Sequence, residues 1–234
     1  MKKLIILIIS NLLIANVTSD AAITIGSGVT VTINGDFSNS GSVANEGSLI
    51  INGYYDHNAG AGTFSGSGIF SLCDQPKELH NGANLISFYA LPEDASIDNV
   101  MSSIEGVATG VIGEGVAANY DNGWVGSLNT ISPTSGYWVI VNDIDSLFLC
   151  DAVLTSPATE YDLHAGANLI SFPSFGTIDL GASIPGDVEG SITGIIGEGV
   201  VAKNDPVSGW QGSLARFNGG EGYWVITSEA ISFS

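Results

Sequence analysis

A chain of 234 residues and 24.1 kDa can hold one to three small domains with cores of their own. Its 44% hydrophobic content excludes a disordered chain, while 12% charged residues and 31 glycines point to strands joined by tight turns. Five basic residues against 24 acidic ones give a net charge of −19, a field that repels phosphate backbones and argues against nucleic acid as a partner.

The chain opens on Met1-Lys2-Lys3, followed by an apolar run from Leu4 to Val17 and small residues at Ser19, Ala21 and Ala22. This is the layout of a secretory signal peptide over 1–22, with cleavage expected after Ser19 or Ala22. The run is shorter than a membrane span needs, so the expectation is a secreted or cell-surface protein with no direct membrane insertion once the leader is gone. The mature chain keeps Lys77, Lys203 and Arg216 against 24 acids if cut after Ser19, a charge of −21, and against 23 if cut after Ala22, which removes Asp20, a charge of −20.

Residues 23–72 read as a separate segment. Short β-type runs (Ile23-Thr24-Ile25, Val29 to Ile33, Ser48 to Ile51, Thr63-Phe64-Ser65) alternate with Asn34-Gly35, Asn39-Ser40-Gly41, Asn45-Glu46-Gly47 and Asn52-Gly53. Asn and Gly tolerate positive φ, so these turns either close β-hairpins or form the corners of a small β-solenoid. Two or three coils need covered ends, from the next domain or another subunit.

The remainder is a duplication. Leu79-His80-Asn81-Gly82-Ala83-Asn84-Leu85-Ile86-Ser87-Phe88 returns as Leu163-His164-Ala165-Gly166-Ala167-Asn168-Leu169-Ile170-Ser171-Phe172, and 79–118 matches 163–202 at 19 of 40 positions without gaps. The expected modules are 73–149 and 150–234, each mainly β and sandwich- or barrel-like with at most one short helix. Ser96 can cap a helix carrying Ile97, Val100, Met101 and Ile104 on one face. Pro185-Gly186 cuts the second copy short. Cys73 and Cys150 stand at equivalent places before each module. A disulfide between them is the expectation for an exported chain, with two buried thiols as the competing reading.

The Leu-His-x-Gly-x-Asn-Leu-Ile-Ser start and Gly-Tyr-Trp-Val end of each copy resemble a tandem repeat module of secreted bacterial surface proteins, also seen in structural proteins of marine phages. The phrase over 39–49 resembles the Asn/Gly-rich coils of haemagglutinin-like and autotransporter-type proteins. The first resemblance implies adhesion, polymer-degrading or surface-anchored settings. It brings no catalytic residues with it. Ala83 and Ala167 stand where relatives often have Trp.

Candidate chemistry is sparse. His80 and His164 have no second His, Cys or acid at ligand spacing, so they read as structural; His57 lies in the solenoid-like segment. Glu114 and Glu198, each between two glycines, can accept backbone N–H groups and pin their turns, or supply paired acids if the modules face each other. Asp143, Asp145, Asp151, Asp121, Asn122, Asn204 and Asp205 are loop oxygens of the type calcium takes, but they follow no known calcium loop and read as solvated acids. In Gly-Tyr-Trp-Val-Ile, alternation sends Tyr and Val to one face and Trp and Ile to the other. Trp124, Tyr137, Trp138, Trp210, Tyr223 and Trp224 are the candidate ligand-binding residues, with core or inter-module packing as the alternative.

No nucleophile elbow, phosphate loop, dinucleotide fingerprint or Cys-x-x-Cys site is present, so the chain does not read as an enzyme. The leading expectation is an exported, non-catalytic surface or matrix protein acting in adhesion or assembly through self-association or a surface glycan or polymer. A pair of carbohydrate-binding modules and a phage virion or receptor-binding component are the alternatives.

Overall fold

The computed structural model describes residues 13–14, 17–33, 37–51, 55–56, 63–67, 69–156, 158–174 and 176–234. His57 and the Asn34-Gly35 and Asn52-Gly53 turns lie outside these residues. The described chain divides into two compact units, one of 1–77 with 148–152 and one of 78–147 with 153–234.

The first unit is a parallel β-solenoid. Ala22–Ile25, Ser42–Asn45 and Thr63–Ser65 stack as one column of strands. Val17–Ser19, Phe37–Asn39 and Tyr55–Asp56 form a second. The third runs Leu13–Ile14, Thr30–Ile33, Ser48–Ile51 and Ile69–Leu79, with Asp145–Cys150 beside it. Hairpins would pair antiparallel, so the solenoid reading holds. Ile25, Ile33, Phe37, Val43, Leu49 and Ile51 fill its interior.

The Asn-x-Gly phrases are its corners. Asn39 and Asn45 are buried, and their side-chain oxygens accept the N–H of Gly41 and Gly47. Asn45 also donates to the Ile69 carbonyl of the next coil at 2.7 Å. A Cβ on Gly41 would stand 2.1 Å from the Ala21 carbonyl oxygen in the coil before it, so only glycine fits that corner. Leu13–Ile14 and Val17–Ser19 fall within the expected leader, so cleavage after Ser19 or Ala22 would take these rungs from the stack.

The second unit holds both copies of the repeat. In each, five antiparallel strands form an open sheet, ordered Gly82–Ser87, Gly136–Val141, Ala108–Gly113, Val116–Tyr120, Trp124–Gly126 in the first. The second runs Gly166–Ser171, Gly222–Thr227, Ile192–Gly197, Val200–Asp205, Gly209–Gly212. The register shift between Ala108 and Gly110 recurs between Ile192 and Gly194. The fold is mainly β as expected, but neither sheet closes into a barrel.

The helices follow their sequence signals. Ser96 accepts the Asn99 N–H and starts Ile97–Val100, continued by a 3₁₀ turn Ser102–Ile104. Ile97, Val100, Met101 and Ile104 all point into the first core. In the second copy Leu180–Ser183 stops before Pro185.

Candidate functional site

The two copies meet through the repeated motif itself. Ile86 bridges to Glu221 and Ile170 to Ser135, antiparallel in both cases, so the end of each first strand meets the start of its sister's aromatic strand. Ser87 Oγ donates to the Glu221 carbonyl and Ser171 Oγ to the Pro133 carbonyl, both at 2.6 Å. Ser87 N–H and Ser171 N–H donate to the carbonyls of Gly220 and Thr134. Gly136 and Gly222 are the points of closest approach. A Cβ at either would lie 2.8 Å from the sister copy's backbone, at the Ile170 or the Ile86 carbonyl oxygen.

A reciprocal clasp flanks this junction. Glu198, at the tip of the hairpin in the second copy, reaches His80 and Leu85 of the first. Its Oε1 lies 2.6 Å from His80 Nε2, and its Oε2 accepts the Leu85 N–H at 2.7 Å. Glu114 makes the same two bonds to His164 and Leu169 at the same distances. Gly115 and Gly199 adopt φ of 71° and 69°, which lets each hairpin turn directly after its glutamate.

The remaining motif residues hold the histidine loops. Asn84 is buried, accepts the His80 N–H and donates to the carbonyls of His80 and Gly82. Asn168 repeats this around His164. His80 Nδ1 lies 2.9 Å from the Asn81 carbonyl, and His164 Nδ1 lies 2.8 Å from that of Ala165. A carbonyl and a carboxylate only accept, so each ring must carry protons on both nitrogens. Consistently, the backbone carbonyl first and the glutamate second raise both histidines above their ordinary value of 6.5.

The histidines and glutamates thus join the two copies, and their partners are not local. Each glutamate pins the sister module rather than only its own turn. The acid at bonding distance from His80 is 118 positions away in sequence. Among the described residues no cluster of three His, Cys, Asp or Glu side chains forms a metal site. Three of the calcium-type acids serve their own loops. Asp143 accepts Ile144 N–H, Asp145 accepts Ser146 N–H, and Asp205 accepts the N–H groups of Val207 and Ser208.

The six aromatic candidates separate into three pairs. Tyr137 and Tyr223 are enclosed in the cores, where their hydroxyls accept the N–H of Ser132 and Asn218. They stabilise the fold and present no face to a ligand. Trp124 stacks edge-on with Tyr120, and Trp210 donates to Glu189 at 2.8 Å, so both are held at the outer strand of their sheets. Trp138 and Trp224 are half-buried on the opposite sheet face from the tyrosines, as alternation predicts, with the buried Leu85 and Leu169 in register on one side. In register beside them are Ile112 and Ile196, 44% and 40% exposed. The chain matches no family model, no curated protein and no solved structure.

Proposed function

We propose that this is an exported, non-catalytic surface or matrix protein that adheres to a surface polymer through the sheet faces that carry Trp138 and Trp224. The observation that carries the reading is the pair of partly exposed Trp–Ile faces, Trp138 with Ile112 and Trp224 with Ile196. A broad indole next to aliphatic side chains suits the apolar face of a sugar ring or a flat polymer.

Purified mature protein should bind an immobilised polysaccharide, and the paired variant Trp138→Ala/Trp224→Ala should lose that binding by at least about tenfold, the scale of a lost aromatic anchor. Each single variant should weaken binding less, since two sites contribute avidity. Binding untouched by the double substitution would remove these faces from the account.

A Cys73–Cys150 bridge belongs to the same exported setting. Its support is that Ile69–Leu79 and Asp145–Cys150 are neighbouring strands of one sheet. Mass spectrometry of non-reduced peptides should recover the two cysteines in one linked species; two alkylatable thiols would contradict it.

A further inference from the structure

We propose that the mature chain forms a closed dimer of two identical copies, joined at the solenoid end that the leader covers, with Thr30–Ile33 of one copy pairing antiparallel with the same strand of the other. This dimer depends on the export reading, because only removal of the leader opens that end. In the uncut chain the end is occupied. Leu13 and Ile14 pair with Thr32 and Ile33, and Val17–Ser19 pairs with Phe37–Asn39, parallel in both cases. Val17 also packs on the solenoid interior and walls a cavity with Ile23, Ile25, Val29, Ile33 and Phe37. Cleavage after Ser19 or Ala22 takes both covering strands away.

What remains is a sheet edge and an apolar interior without a cover. The terminal coil of a solenoid needs a cap, and an unpaired strand edge is a template for another strand. Native edges are commonly guarded by charges or proline. Here residues 21–35 contain no Asp, Glu, Lys, Arg or Pro, and every residue from Val29 to Ile33 is β-branched. Such a strand pairs readily. The leader itself shows that this edge accepts an extended apolar segment.

Two features select a second copy as the partner. The chain as a whole is so acidic that like copies repel, and the uncharged stretch 21–35 is a surface on which they can meet without bringing carboxylates together. The far end of the same strand column is already taken, because Ile69–Leu79 has Asp145–Cys150 as its next neighbour. Head-to-tail stacking is therefore closed to this column. An end that meets only its own kind gives an isologous pair, which stops at two. Antiparallel pairing follows, since a twofold axis reverses the strand it passes through.

The test takes the exported protein, reads its mass, and follows its association by analytical ultracentrifugation over a concentration series. A chain beginning at Asp20 or Ile23 should sediment as a dimer that dissociates on dilution. Hydrogen exchange in residues 30–33 of the unaltered chain should slow as the dimer fills. Thr30→Glu with Thr32→Glu, which sets like charges against each other across the axis, should weaken the dimer by at least about tenfold. Val125→Glu with Val207→Glu, which adds the same charge at exposed positions of the modules, should leave it intact. A processed chain that stays monomeric, that grows into a ladder of larger species, that exchanges at 30–33 independently of concentration, or whose dimer yields to the module pair instead, overturns the dimer and leaves export standing. A mass that still includes residues 13–19 overturns export, and the dimer with it.

Discussion

Replacing both clasp carboxylates, Glu114→Ala with Glu198→Ala, should destabilise the second unit by about 2–6 kcal/mol. Each substitution orphans one backbone N–H, that of Leu169 or Leu85, in a residue almost wholly buried. A buried donor left without a partner costs about 1–3 kcal/mol. The sign is informative because the general expectation runs the other way. In a chain of 24 acids and five bases, neutralising an exposed carboxylate relieves self-repulsion. Glu93→Ala and Glu160→Ala, at exposed positions, should accordingly leave the denaturation midpoint unchanged or raise it. A double clasp variant as stable as these controls would show that the glutamates hold nothing.

The second large effect is on pH dependence. Both clasp histidines have folded values raised above 6.5, through the backbone carbonyl first and the facing glutamate second. A group raised on folding binds its proton more tightly in the native state. Its contribution is therefore fully present below the unfolded value near 6.5 and is lost as pH rises through the higher folded value. Stability followed by denaturant melts should fall as pH climbs from 6.5 into the alkaline range. Glu198→Gln and Glu114→Gln should each flatten part of that slope, since the amide keeps the shape but not the charge. The pairs are solvent-facing, so added salt should flatten it too.

Most of the secondary structure was legible in the sequence because its causes are local. Ser96 capping, the helical stripe from Ile97 to Ile104 and its interruption at Pro185 each depend on residues within a turn or two. The alternation that sends Tyr137 inward and Trp138 outward is likewise a property of one strand. The choice between hairpins and solenoid was not legible, because Asn-Gly corners serve both and only the pairing direction separates them. The clasp was least legible. The acids close to the histidines in sequence, Glu78 and Asp162, are not their partners, and Glu198 has no histidine near it in sequence. The one available signal was that both partners recur in both copies, which is what an exchange across a twofold relation requires.

The short helices illustrate the converse. A duplicated sequence invites the expectation of equivalent interiors, yet the second helix stops before Pro185, whereas the first continues through the buried Val100, Met101 and Ile104. Repetition specifies the junction, where each copy must fit the other. It leaves the interiors free to diverge.

The central claim, that the two copies are locked by a crosswise exchange of glutamates, is tested most directly by titrating the ring nitrogens of His80 and His164 by NMR in Glu198→Gln and in Glu114→Gln. The account predicts both rings doubly protonated at pH 6.5 in the unaltered chain. Glu198→Gln should lower the titration of His80 and leave His164 in place, and Glu114→Gln should do the reverse. Histidines that titrate alike in all three proteins, or that respond to the glutamate of their own copy, would contradict it.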